Sequence, residues 1–343
     1  MSKYKKWGIV FQLLFAIIFT NCIEEEEKAP IPDTRIRTIE LMPDYRFQVY
    51  YDLETDSVIS RNLIVDWDLG FEASGKGKHV ILNTSKFMFL AELNTTNFDT
   101  MPDISLLDWK WDDWHGDLNR TAMGEWYLPH DNKSIVESKA LVYILNLGQS
   151  QSGKEFGYKK IQFEKLENDQ YFFKSANLDG SDEIIHTIKK DSSYTFNQYS
   201  FLKNNQVQFE PPKESWDLLF TRYTYIFYQD DPDAPIPFSS EYLPYTVIGV
   251  LSNRYQVEVA EDHVNDYFKI GFSNISGYSF QHEIDVIGWN WKVFADGKYK
   301  IKNNINNYII KTVEGNFFKL MFVGFYSNEG VKGNPSFIFE KVD

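Results

Sequence analysis

Cysteine occurs once in the 343 residues and histidine six times. A single thiol excludes a disulfide framework, an iron–sulfur cluster and a thiolate zinc site. Histidine ligation stays open. Positive charge is also short: 35 Lys and Arg stand against 49 Asp and Glu, for a net charge of −14. A chain this acidic is repelled by phosphate backbones, which argues against nucleic acid as a partner. Helical periodicity is scarce; only Ser134–Val142 and Asp262–Lys269 have the spacing for short helices. Enzyme signatures are missing too. Gly148-Gln149-Ser150-Gln151-Ser152 lacks the closing glycine of a nucleophile elbow. His282-Glu283 is followed by Ile284-Asp285-Val286, so the second histidine of a zinc-protease motif is absent, and no phosphate-cradling glycine loop occurs. No catalytic residue stands out, and the chain reads as a non-enzyme.

What is abundant is aromatic: 28 Phe and 21 Tyr accompany 9 Trp, a mix that favours strands. Before the body of the chain comes an address. Lys3, Lys5 and Lys6 precede an apolar run, Trp7–Thr20, too short to cross a bilayer comfortably. Residues 1–21 therefore read as a signal peptide. The lone Cys22 sits where a bacterial lipoprotein is cut and lipidated. Residues 22–40, with Glu24–Glu27 and Ala29-Pro30-Ile31-Pro32, read as an acidic tether. Membrane contact is expected through the lipid anchor only.

Period-two alternation dominates afterwards, as in Tyr45–Tyr51 and Tyr255–Val259, and predicts half-buried strands. Two blocks recur. Trp67-Asp68-Leu69-Gly70-Phe71 matches Trp216-Asp217-Leu218-Leu219-Phe220, and each tryptophan stands nine residues after a valine, Val58 and Val207. Trp126 and Trp291 each stand seventeen residues before a Tyr-Ile-aliphatic strand, at Tyr143 and Tyr308. These matches predict an all-β fold of two tandem antiparallel units, 41–185 and 196–343, each sandwich-like. The paired aspartates are expected to close turns by accepting backbone N–H groups.

The second unit carries a resemblance. Its blocks run from Trp216–Tyr223, through Tyr245–Asn253 and Ile287-Gly288-Trp289-Asn290-Trp291-Lys292, to Tyr308–Leu320 and Phe337–Glu340. In this order they resemble the HmuY family of haem-binding lipoproteins from Bacteroidetes; the first unit looks like a diverged duplicate. The Glu run after Cys22 likewise resembles the surface-export signal of such lipoproteins. The resemblance implies a haemophore-like protein of the outer membrane, facing outward. It would bind haem or a related tetrapyrrole and pass it to a TonB-dependent transporter. It also implies two axial ligands, commonly His, between the Trp-Asp block and the Tyr308 strand. That window holds His263 and His282, with Tyr267, Phe268, Tyr278 and Phe280 as stacking candidates.

Other stretches compete. Asp108–Asp117 holds Trp109, Trp111 and Trp114 among four aspartates, a composition suited either to a glycan platform or to a core-edge loop. The alternative function is accordingly a glycan- or protein-binding surface lipoprotein that does not bind haem. His115 with His130 is a weaker axial pair. Asp230-Asp231-Pro232-Asp233 lacks calcium-loop spacing and reads as a solvated turn.

Overall fold

The computed structural model describes residues 35–129, 135–302 and 306–343. Cys22, the signal segment and His130 lie outside them. Among the described residues the regular elements are antiparallel strands and short 3-10 turns. The two stretches with helical spacing do not form α-helices. Ile135–Glu137 and Val142–Asn146 pair as strands with Tyr158–Glu167. At the other, Asp262 accepts the N–H groups of Val264 and Asn265 and turns the chain before a helix can start.

The strands build two sandwiches. In one, a four-stranded sheet ordered Tyr242–Ser252, Leu218–Tyr228, Phe47–Asp52, Ser57–Leu63 faces a five-stranded sheet that ends the chain. Tyr51, Leu218, Phe220 and Val250 meet Tyr308, Leu320, Phe322 and Phe337 in its core. Trp291 stacks on Phe322 there at 3.9 Å and 10°. In the other, a four-stranded sheet ordered Asn205–Val207, Phe196–Ser200, Leu69–Glu72, Val80–Leu82 faces a six-stranded sheet. Phe71, Tyr199, Phe163, Phe173 and Trp126 fill that core. Burial of each large apolar side chain contributes ~1.5–3 kcal/mol.

The sheets do not respect residues 185–196 as a boundary. The hairpin Phe47–Leu63 pairs with the later Trp-Asp strand, Leu218–Tyr228. The hairpin Phe196–Val207 pairs with the earlier one, Leu69–Glu72. Each segment of chain thus completes the other's sandwich, and 41–185 and 196–343 are interlocked rather than closed in sequence.

Both Trp-Asp corners use one hydrogen-bond pattern. Asp68 N–H donates to the Tyr199 carbonyl and Asp68 Oδ2 accepts from Phe201 N–H at 2.6 Å. Asp217 N–H donates to the Tyr51 carbonyl and Asp217 Oδ2 accepts from Leu53 N–H at 2.9 Å. Asn83 and Asn253 bind back to the two corners alike, through the carbonyls of Trp67 and Trp216. The aspartates close turns and hold the exchanged hairpins. One difference separates them: Asp68 is paired with buried Lys86. Asp217 has backbone donors only, and burial pushes its carboxyl up to about 7.

Candidate functional site

The long hairpin Leu218–Tyr228/Tyr242–Ser252 projects past its sheet partners, because Phe47–Asp52 pairs only with Leu218–Phe220. Two hollows border its free end.

The larger, about 850 Å³, lies between this hairpin, the segment Gly288–Trp289 and the small hairpin Lys292–Ala295/Lys298–Ile301. A ligand cleft usually has ~300–1,000 Å³. The approach of its floor depends on glycine. A Cβ at Gly249 would lie 2.3 Å from the Gly288 carbonyl oxygen, and Gly288 itself has φ +54°. This close contact seats Trp289 against Phe227, with ring centroids 5.3 Å apart. Phe294 and Tyr299 face each other across the small hairpin at 5.1 Å. Tyr299 is anchored by its N–H, which donates to the Tyr326 hydroxyl at 2.7 Å. Tyr245 and Tyr326 complete the aromatic lining.

Two lysines line this cleft, Lys292 and Lys332, with one carboxylate, Asp233. Lys292 is buried, and its ammonium donates to the carbonyls of Ile248 and Trp289. No carboxylate is paired with it among the described residues, and burial pushes its pKa down to about 7. A lysine has three donors, and this ammonium also stands over the Trp291 ring, 4.1 Å from its centroid.

The expected histidine ligands lie elsewhere. His263 follows the strand Glu258–Asp262, is exposed, and sits 3.6 Å from Glu261 Oε2. His282 is also exposed. The Val259–Gln281 bridge puts the two histidines on opposite sides of that pair. Neither lines the cleft, and the structure does not bring them together. Of the four stacking candidates Phe268 is exposed, and the other three pack against neighbours in the fold. Tyr278 and Phe280 pack with Ile270 over Ala260 and Ile309, Phe280 also meets Phe317, and Tyr267 lies under the Lys319 ammonium. Met is equally absent from the cleft lining.

Beside the cleft, a hollow of about 350 Å³ holds His115 and five carboxylates: Asp231, Asp233, Glu261, Glu283 and Asp285. His115 Nδ1 is 2.7 Å from Asp285 Oδ1, and this hydrogen bond raises the imidazole pKa. Burial holds the Asp285 carboxyl above its usual value despite that partner. Among the described residues no three His, Cys, Asp or Glu side chains are grouped to hold a metal ion.

The tryptophan-rich stretch is split in use. Asp112 closes a turn by accepting from Leu82 and Ala122 N–H groups. Trp114 is buried, whereas Trp109 and Trp111 are half-buried and line a groove. Asp231 caps its own turn by accepting from Asp233 N–H.

Sequence reasoning missed Lys292, Trp289, Phe294 and Tyr299. The signal was present: Asp296-Gly297 between two alternating tetrads marks a hairpin whose Phe and Tyr fall opposite each other.

No curated protein matches the chain. Among solved structures, apo PinO from Porphyromonas gingivitis is similar at 10% identity and TM-score 0.26, over 90% of this chain and 97% of that one. The apo HmuY analogue TFO from Tannerella forsythia is similar at 10% identity and TM-score 0.23, over 90% and 95%. A family model described as HmuY protein matches residues 44–339, nearly the whole described body, and the chain belongs to the HmuY family.

Proposed function

We propose that this protein binds haem or a related tetrapyrrole without catalysis, in the cleft between the two hairpins. The observation that carries the reading is the 850 Å³ aromatic cleft with a buried, carboxylate-free lysine. It lies largely within the window where the family's ligands are expected. A tetrapyrrole is flat and apolar and carries carboxylates at its edge. Trp289, Phe227, Phe294 and Tyr299 supply apolar faces. Lys292 and Lys332 supply cations in an otherwise acidic protein. With no His or Met lining the cleft, ligation by the His263–His282 pair is not needed for capture. Tyr245, Tyr299 and Tyr326 are the oxygen donors nearest to hand for an iron.

Cys22 would tether the protein to the outer membrane facing outward, and a TonB-dependent transporter would receive the cargo. The test is an absorbance titration of residues 23–343 with hemin. A saturable Soret shift that weakens in Phe294→Ala supports the reading. Unsaturable adsorption, or binding indifferent to Phe294 and Lys292, would overturn it.

A further inference from the structure

We propose a second, independent ligand site: the groove lined by Trp109, Trp111 and Trp114 binds a neutral saccharide. The groove encloses about 340 Å³ on the side of the long hairpin marked by Tyr228 and Tyr242. That volume falls at the lower end of ligand pockets, ~300–1,000 Å³, and suits a sugar ring better than a macrocycle.

The floor and walls are fixed before any ligand arrives. Lys110 exchanges backbone hydrogen bonds with Leu90, at 2.8 and 3.0 Å, which ties the loop to the sheet. Asp112 holds the next turn. Trp111 packs on Tyr242 at 4.7 Å and 59°, and Trp114 packs on Tyr225 at 5.3 Å. Tyr228 and Tyr242 remain 51% and 36% exposed, so aromatic surface is left uncovered at the mouth. Such faces attract the slightly positive C–H groups of a sugar ring, because the aromatic face is the negative pole of its quadrupole.

Two polar atoms of the lining lack hydrogen bonds. Asp113 and Trp114 are about nine-tenths buried, and Asp113 Oδ1 and Trp114 Nε1 have no hydrogen-bond partner. Arg120 Nη1 stands 3.4 Å from that carboxylate oxygen as an ion pair. Trp114 Nε1 is a donor without an acceptor and Asp113 Oδ1 an acceptor held only by that ion pair, and hydroxyls both donate and accept. The charges of the lining cancel: Asp108 and Asp113 against Lys110 and Arg120. A neutral groove selects neither an anion nor a cation. Aromatic faces, two polar atoms without hydrogen bonds and zero net charge together describe a neutral, polyhydroxylated ring.

The test is affinity electrophoresis of residues 23–343 through gels containing dextran, xylan or a mixed-linkage β-glucan. The expected result is retardation by at least one of them, weakened ~10-fold or more in Trp111→Ala and in Tyr242→Ala. Hemin titration of the same two variants is expected to match wild type, which shows that they fold and separates this site from the cleft. Retardation by none of the neutral polymers overturns the proposal. So does retardation confined to acidic polysaccharide, or retardation kept in both variants.

Discussion

Lys86 and Lys292 are both buried lysines, one in each sandwich, and their surroundings differ in one respect. Lys86 is paired with the Asp68 carboxylate at a corner that locks an exchanged hairpin. Lys292 has two backbone carbonyls and no carboxylate, and it lines the cleft. The first arrangement is closed: charge meets charge, and nothing further is recognised. The second leaves an unbalanced charge at the edge of an aromatic hollow. Perturbed groups of this kind gather where binding happens. The contrast separates a lysine neutralised within the fold from one that carries the proposed site, although sequence gives them equal standing.

Substitution of each lysine breaks the comparison in opposite ways. Lys86→Met leaves Asp68 buried without its partner, so the fold is expected to lose ~3–5 kcal/mol in urea denaturation. A loss below 1 kcal/mol would mean that the pair contributes nothing. Lys292→Met removes a charge that burial already disfavours. The folded pKa of about 7 lies below the unfolded value of ~10.4. The penalty is therefore full below pH 7 and fades as pH rises toward 10. The variant should melt at a higher temperature than wild type at pH 6, with the gain shrinking by pH 10. At the same time it should bind hemin at least ~10-fold more weakly. Calorimetry across pH and an absorbance titration read the two effects separately.

Phe294→Ala sharpens the functional side. Phe294 is 63% exposed, so its removal should leave the melting temperature unchanged. Loss of one aromatic face from the cleft should weaken hemin binding ~10-fold. The smallest effect concerns Glu210, whose Oε1 is buried at a chamber of about 100 Å³ that Asp112, Arg254 and both Trp-Asp tryptophans also line. Burial pushes its carboxyl up to about 8, and that of Asp112 up to about 6. A carboxyl raised in the folded state stabilises at low pH and loses that contribution as pH climbs through its folded pKa. Wild type should therefore lose stability between pH 5 and 8.5, and Glu210→Gln should flatten that loss while matching wild type at pH 5.

Much of the architecture was legible from alternation and from the recurring Trp-Asp blocks. Alternation reports which side of a strand is buried, which is a local property. The exchange of hairpins was not legible, since a strand's pattern does not name its partner. The equal nine-residue offsets from Val58 and Val207 pointed to two similar units without showing that each hairpin crosses over. The site was less legible. His263 and His282 attracted notice through their ligand chemistry, yet alternation at Gln281-His282-Glu283 turns His282 away from the hollow its neighbours line. Lys292 escaped notice because a lysine after Trp291 looks like the wet end of a strand. Its ammonium is met by the Trp289 carbonyl three residues back and by the Ile248 carbonyl, which a distant strand brings in.

The central claim is that the cleft holds a macrocycle by its faces and by Lys292, not by a histidine pair. Parallel titrations with hemin and metal-free protoporphyrin IX test it most directly, in wild type and in a His263→Ala/His282→Ala double variant. The account predicts that both ligands bind within about threefold of each other, in both proteins. It would be contradicted by hemin binding with a six-coordinate low-spin spectrum that the double variant loses, while protoporphyrin IX does not bind at all.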